Sequence, residues 1–278
     1  AAINRIMPSI QTPITVFSDA NVMINTDGIK HLVSHFQRNR VGVVSGEKTI
    51  MKQTTDNAAG SGEGFYWKYE SFLKRKDAEW NTLVGSAGEL FAIRTHLFTD
   101  IATDTIIEDF VMTMSLAAQG HQVAYEPQAI ALETASESVE EEQKRKVRIS
   151  AGGIQAVIRL FPLLNFLKYG KRTFQYISHR VLRWTLVPIS MILMLPISLF
   201  LVSSHWVYAL LFCLQLMFYS AAFIGYKLRE AKTKNKYLHV PYYFVFMHLC
   251  IVLGWVKYAN GKQQVTWDKS KRAQMVQI

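Results

Sequence analysis

The sequence predicts an α/β domain followed by C-terminal transmembrane helices, and three observations predict it. Half of the 278 residues are hydrophobic and 12% aromatic, which excludes a disordered chain. The formal charge of +10 conceals a split: residues 1–150 carry 15 basic and 19 acidic side chains, whereas residues 151–278 carry 16 basic and 2 acidic ones. From Trp184 to Tyr226 run 43 consecutive residues without Asp, Glu, Lys or Arg. That is about twice the roughly 20 residues one helix needs to cross a bilayer.

Along the first half, Pro13-Ile-Thr-Val-Phe17 is a short β-rich apolar run that predicts a buried strand ending at Ser18-Asp19-Ala20-Asn21. A carboxylate at the carboxyl end of a strand is where open α/β sheets bind ligands. Thr26 and Asp27 are placed to cap a helix over residues 28–37, and residues 41–44 and 47–51 predict two extended segments. Residues 56–64 read as a Gly-rich loop, and residues 65–75 as a helix with Phe65, Tyr69 and Phe72 on one face. Thr82, Leu83 and Val84 lead into Gly85-Ser86-Ala87-Gly88, and residues 90–94 are again apolar and extended. Ile106-Ile107-Glu108-Asp109-Phe110 opens a helix that Gly120 ends, after which residues 122–125 and 129–132 resume the strand pattern. This alternation predicts a mixed, largely parallel sheet with helices on both faces. Ser138 with Glu141 forms a capping-box pattern, and Glu140/Lys144, Glu141/Arg145 and Glu142/Lys146 pair acid with base at i,i+4, so a robust helix follows. Arg145, Arg148 and Gly152 share one of its faces.

In the second half, residues 184–202 and 206–226 predict a helical hairpin broken at Ser203-Ser204-His205, and residues 237–256 a third apolar segment interrupted by His239, Pro241 and His248. Trp184, Trp206, Tyr208, Tyr226, Tyr242, Tyr243, Trp255 and Tyr258 fall near segment ends, where interfacial aromatic belts are expected. Residues 227–236 hold five bases and one acid, a cytoplasmic loop by the positive-inside rule. Three full crossings would put the basic tail on the opposite side, so either residues 237–256 re-enter or a further crossing lies near residues 154–167, whose Arg159 and Pro162 suit an interfacial helix. Bases that flank lipid-length segments point to a membrane and not to nucleic acid. Cys213 and Cys250 sit inside apolar segments as small hydrophobes, without disulfide or CxxC spacing. His31 and His35, at i,i+4, lack the Glu and third ligand of a zinc site and read as a helix surface.

Three features converge on one chemistry. Asp19-x-Asn21 after a strand, Glu108-Asp109 at a helix start and Arg145-x-x-Arg148 before the membrane supply a metal–phosphate ligand, a base and a diphosphate clamp. Mg²⁺ or Mn²⁺ is typically held by one or two carboxylates plus substrate phosphates, so a single Asp suffices to suspect such a site.

In this order the residues resemble the membrane-embedded family-2 glycosyltransferases of the cellulose, chitin, hyaluronan and poly-N-acetylglucosamine synthase group, over about residues 1–272. Ser18-Asp19-Ala20-Asn21 is similar to the family's Asp-x-Asp element, which implies that Asp19 and Asn21 hold Mg²⁺ or Mn²⁺ on the donor diphosphate. Gly85-Ser86-Ala87-Gly88 with Ala92-x-Arg94 resembles the segment beside the donor sugar and acceptor end, and Glu70 would lie near the acceptor. Glu108-Asp109 looks like the Glu-Asp pair whose Asp is the general base, with Glu108 an orienting or capping residue. Arg145-Lys146-Val147-Arg148-Ile149 before Gly152-Gly153 stands in the place of Gln-x-x-Arg-Trp, and Trp267-Asp268-Lys269 with Arg272 resembles a cytosolic segment that reaches back to the site. Asn21, Arg145 and Ile149 depart from the family's Asp, Gln and Trp. Losing the Trp removes a platform for an acceptor sugar.

The resemblance implies a partial nucleotide-diphospho-sugar transferase domain (GT-A, Rossmann-like). The expected organisation is a cytosolic transferase domain over residues 1–138, basic and interfacial helices over 139–183, transmembrane segments over 184–256 and a basic cytosolic tail over 257–278. Nothing before Asp19 matches the nucleobase-binding start of the family's domain, so that part is expected to lie outside this chain. The implied activity is inverting transfer of a hexose or N-acetylhexosamine from a nucleotide-diphospho-sugar, a UDP-sugar by resemblance, to a growing polysaccharide at the inner membrane. The alternatives are single-sugar transfer to a lipid-linked acceptor and a non-catalytic membrane subunit of the same fold. Implied partners are the donor, a glycan or lipid-linked acceptor and membrane lipid.

Overall fold

The computed structural model describes residues 2–51, 58–134, 138–229 and 236–261. A short helix α1 (Ala2–Ile6) precedes strands β1 (Ile14–Ser18) and β2 (Val22–Ile24), and then come α2 (Gly28–Ser34), β3 (Val41–Ile50) and α3 (Ala58–Trp80). Strand β4 (Leu90–Arg94), helix α4 (Glu108–Ala118), strand β5 (Gln122–Glu133) and helix α5 (Val139–Arg159) complete the α/β part. The C-terminal part is α6 (Phe166–Tyr169), α7 (Lys171–Tyr176), a π-helical turn (Ile177–Val181), α8 (Leu182–Trp184), α9 (Leu186–Leu201), α10 (Trp206–Lys227) and α11 (Lys236–Ala259).

The sheet runs β1-β4-β3-β5-β2. Among the described residues only β3–β5 is parallel; β1–β4, β3–β4 and β2–β5 are antiparallel, which corrects the expectation of a largely parallel sheet. Two of these pairings come from β4, which inserts between β1 and β3 against both, and the third from β2, which adds to the β5 edge. Alternate residues of each strand point to opposite faces. Val43, Phe91, Ile93, Val123 and Tyr125 pack on one side with Phe110, Met114 and Leu116 of α4 and with Tyr176 and Trp184. Val44, Leu90, Ala92 and Ala124 pack on the other with Leu32 and Phe36. The breaks expected within β3 and β5 are register shifts in continuous strands, centred on Gly46, where a β-carbon would lie 2.6 Å from the Ala129 carbonyl oxygen.

Several helices differ from expectation. α3 starts at Ala58, within the expected Gly-rich loop, and it turns Tyr69 and Phe72 outward while Glu70, Lys74 and Asp77 are buried. Asp27 occupies the α2 N-cap without a side-chain capping bond. His35 is bonded to Glu126 at 2.7 Å. Ser138 caps α5, accepting from the Glu141 N–H at 3.2 Å, and the expected Glu142–Lys146 pair forms at i,i+4, joined by Glu141–Lys144 and Glu142–Arg145 at i,i+3.

α9 and α10 form the expected hairpin about residues 203–205, pinned by Gln215 Nε2 donating to Ser198 Oγ (2.7 Å) and Tyr219 OH to the Met191 carbonyl (3.2 Å). Among the described residues α10 and α11 are each long and apolar enough to cross a membrane, and Lys171–Trp184 with Leu186–Leu201 passes the same test as a pair bent by 53°. Trp184 is not in an aromatic belt: it is buried beneath Gly153, edge-on to Phe110 at 5.2 Å, and Tyr243 is likewise buried.

Candidate active site

The site is built where β1 ends, β4 begins, α4 starts and α5 passes. Asp19, exposed just beyond β1, donates its backbone N–H to the Glu89 carbonyl (3.3 Å). Glu89 precedes β4, so the antiparallel β1–β4 pairing carries these two acids to one edge. Next to it, a β-carbon on Gly88 would stand 2.9 Å from Asp109 Oδ2 in the first turn of α4. The Gly85–Gly88 loop is held rigidly. Gly85 has φ +83°, and a β-carbon there would meet Phe110 at 2.3 Å; the Ser86 N–H donates to Thr113 Oγ1 (3.2 Å) and the Ala87 N–H to Ser45 Oγ (2.9 Å). On α5, Arg148 donates to the Ile106 carbonyl (3.1 Å), and a β-carbon on Gly152 would reach Ile107 at 2.9 Å and Ile106 at 3.0 Å. The bare glycine lets α5 close on the turn that presents Glu108 and Asp109.

The charges act on one another. Burial pushes the Asp109 carboxyl up to about 7, helped by Glu89, Glu108 and Asp19 and opposed by a backbone hydrogen bond at Phe110. Burial also lowers the Arg148 pKa, while Asp109, Glu108 and Asp19 hold its charge in place. Asp19, Glu89, Glu108, Asp109 and Arg148 therefore share one electrostatic neighbourhood.

Glu89 is the residue sequence reasoning missed. Burial would raise its pKa, yet ion pairing with Lys48 brings it down to about 2. Lys48, 1% exposed, also pairs with Glu133, and Asn21 Nδ2 donates to Glu133 Oε1 (3.0 Å). The available signal was an acid directly after the Gly-rich loop and a lone Lys inside an apolar strand.

Other expected residues lie elsewhere. Arg94 is at the far end of β4, opposite Ile14, where Nε donates to the Val41 carbonyl (2.9 Å) and NH2 to those of Phe36 (2.7 Å) and Arg38 (3.2 Å), so it staples the sheet and does not face the Gly-rich loop. Glu70 is buried in ion pairs with Arg180 and Arg183. Arg145 is nearer the site: it is buried and ion-paired with Glu142 (3.0 Å) and Glu133 (3.8 Å), and its charge acts on both Glu89 and Arg148. Trp267, Lys269, Asp268 and Arg272 lie outside the described residues.

Among the described residues no group of three or more His, Cys, Asp or Glu could hold a metal unaided. The donor set fits a weaker arrangement: an exposed Asp19 at a strand end, next to Glu89 and across from Arg148, suits a hard cation whose other ligands are phosphate oxygens and water. Asn21 donates Nδ2 to Glu133, and being neutral it would leave a bound cation's charge to Asp19.

A family model described as glycosyl transferase family group 2 matches residues 14–225. No curated protein matches. Among the solved structures that match is the mannosyltransferase PcManGT from Pyrobaculum calidifontis in complex with GDP-Man and Mn²⁺. It is 17% identical with a TM-score of 0.63, and the alignment covers 94% of this chain and 66% of that one. This chain therefore spans just under two thirds of that mannosyltransferase's length.

Proposed function

This chain belongs to glycosyl transferase family group 2, and on that premise we propose that Asp109 is the general base of an inverting sugar transfer carried out at a membrane face. The fold is mixed α/β, GT-A-like, of the nucleotide-sugar transferase kind, and the family uses nucleotide sugars. The single observation that carries the proposal is the seat of Asp109: half-buried at the start of α4, against side-chain-free Gly88, with its pKa raised to about 7. A carboxylate poised near neutral pH can take a proton from an acceptor hydroxyl as that oxygen attacks the anomeric carbon, help worth about 10²- to 10⁴-fold. The departing diphosphate would face Arg148, whose side chain is fixed on the Ile106 carbonyl and needs no reorientation. Mg²⁺ or Mn²⁺ on Asp19 would neutralise diphosphate charge when bound. Glu89, locked on Lys48, would keep the end of β1 and the Gly-rich loop in register.

The donor is a nucleotide-diphospho-sugar, a UDP-hexose or UDP-N-acetylhexosamine by the resemblance; the matched mannosyltransferase was solved with GDP-Man, so both nucleotides belong in the test. In this reading the reaction takes place at the inner membrane with the catalytic part cytosolic and a growing polysaccharide as acceptor; two helices long and apolar enough to cross a membrane support it. Ile149 in the family's Trp position favours a second reading, transfer of one sugar to a lipid-linked acceptor. Incubating the full-length protein in bilayers with radiolabelled UDP- and GDP-sugars distinguishes these: high polymer supports the first reading and a single-sugar lipid product the second. Asp109→Asn as active as the wild type would remove the catalytic assignment.

A further inference from the structure

The buried face of α3 is ionic. Glu70, Lys74 and Asp77, at i, i+4 and i+7, lie on it, and it meets the π-helical turn and α8 that lead into α9. Asp77 has both carboxylate oxygens engaged, one by Gln175 Nε2 (2.9 Å) and the other by His179 Nδ1 (2.6 Å). Glu70 is shared: Arg183 bonds one oxygen and Arg180 stands 3.5 Å from the other. Burial would raise the Glu70 pKa, yet Arg180, Arg183 and Lys74 hold it at about 2, so one carboxylate answers three bases. The two guanidinium groups keep an open side, with 19% and 22% of their side chains exposed.

Lys74 is the incomplete member. Its side chain is 6% exposed, yet among the described residues its Nζ has no hydrogen-bond partner. Glu47 Oε2 stands 3.6 Å away, and that carboxylate already accepts from Tyr125 OH (2.7 Å) and from Ser71. The rings of Trp67 (5.7 Å) and Tyr125 (5.9 Å) flank the ammonium. A buried ammonium with unfilled donors carries a desolvation cost that an incoming anion would relieve. The cluster also stands between the candidate active site and the apolar hairpin. Arg180 Nε donates to the carbonyl of Val84 (3.4 Å), the residue before Gly85, and its guanidinium lies 6.0 Å from the rings of both Phe110, the neighbour of Asp109, and Trp184. Arg183 comes three residues before the start of α9, whose Leu186, Val187 and Ile189 are exposed, and His248 of α11 feels its charge.

A ligand that fits is multiply charged at one end and apolar beyond it. Guanidinium forks match phosphate oxygens with parallel hydrogen bonds, and an ammonium adds a point charge. We propose that Arg180, Arg183 and Lys74 hold the phosphate of a lipid substrate, a prenyl phosphate or diphosphate that carries the acceptor sugar, with its chain along α9 and its sugar toward Asp109. This rests on the lipid-acceptor reading above and names the groups that would bind it. The test titrates the full-length protein calorimetrically in neutral maltoside micelles with farnesyl diphosphate, with UDP and GDP in excess so that the donor's diphosphate site is filled. Wild type should bind the probe, and Arg183→Gln and Lys74→Met should each raise its Kd about tenfold. Because Lys74 completes no hydrogen bond, Lys74→Met should lose that affinity while its melting temperature stays within a few degrees of wild type. No binding by wild type, or an unchanged Kd in a folded Lys74→Met, overturns the site. Short-chain phosphatidylglycerol that displaces the probe at equal affinity would make the anion a bilayer headgroup and overturn the acceptor role. The catalytic reading is checked apart: Asp109→Asn should bind farnesyl diphosphate as wild type does yet transfer no sugar. Transfer by that variant removes the general base and leaves the phosphate site standing, whereas a wild type that binds the probe but makes only high polymer overturns the acceptor role alone.

Discussion

Gly88 stands where a side chain would displace Asp109: its β-carbon would lie 2.9 Å from Oδ2 and 3.2 Å from Cγ. The atom in the way is the end of a rotatable side chain, so Gly88→Ala is expected to move the carboxyl and not to unfold the domain. A base shifted by about an ångström from its proton can cost on the order of 10²-fold. Steady-state kinetics should show that fall in kcat, with donor KM within about twofold and the melting temperature within a few degrees of wild type.

The raised pKa of Asp109 gives two coupled expectations. As a base it must be ionised, so kcat/KM should climb with pH and level off above about 7. Stability runs the other way. The unfolded carboxyl ionises near 3.8 and the folded one near 7, so between these values the folded state binds more protons and its stability falls as pH rises. Asp109→Asn removes that cost and the activity together. Thermal melts at pH 5 and pH 8 should show the variant gaining a few degrees over wild type at pH 8 and much less at pH 5; an equal gap at both would mean that Asp109 titrates as an ordinary surface acid.

Much of the fold was legible locally. Strand β4 and the span and capping of α4 and α5 follow from apolar period, Gly120 and Ser138. Sheet direction was not, because the antiparallel insertion of β4 is decided by pairing between segments some 50 to 80 residues apart. α3 misled for a physical reason: Tyr69 and Phe72 suggest a core face, but Glu70, Lys74 and Asp77, spaced just as helically, are the side buried in ion pairs and hydrogen bonds. The site divides the same way. Asp19, Asp109 and Arg148 were readable from motif order, whereas Glu89 gains its meaning from Lys48, 41 residues away.

Arg94 offers a clean test of a structural against a substrate-binding residue. Its guanidinium serves three carbonyls on the segment that leads into β3, and hydrogen bonds to a charged group contribute about 1.5–3 kcal/mol each before neighbours relax. Arg94→Gln should lower thermal stability by roughly 2 kcal/mol while KM for donor and acceptor stay within twofold at a temperature where the variant is folded. A selective rise in KM with unchanged melting would return Arg94 to the site.

Lys48 is the most exposed to disruption by a single change, because its fully buried ammonium answers two carboxylates, Glu89 and Glu133. Lys48→Met leaves both acids buried without that partner, a loss of about 3–5 kcal/mol. Lys48→Met with Glu133→Gln removes one stranded charge and should recover part of the stability. Comparing both variants with wild type by thermal melting checks this; a double variant less stable than the single one would show that Asn21 and Arg145 already neutralise Glu133.

The two arginines of α5 separate binding from architecture. Arg148 reaches the turn before Asp109 and lies in the field of Asp19, Glu108 and Asp109, while Arg145 is occupied by Glu142 and Glu133. In the proposed arrangement Arg148 meets the diphosphate and Arg145, held by its carboxylates, supports it from behind. Arg148→Lys keeps a charge but loses the fork that a phosphate can engage with two parallel bonds. It should raise the Kd of nucleoside diphosphate about tenfold, with little change in melting temperature. Arg145→Gln should do the converse: lower melting by several degrees, since Glu142 and Glu133 lose a buried partner, and leave nucleotide affinity near wild type. Calorimetric titration of the full-length variants with UDP and GDP, alongside melting curves, reads both quantities. Equal losses of affinity in the two variants would mean that Arg145 abandons its carboxylates for the ligand, and the diphosphate clamp would then be the pair the sequence first suggested.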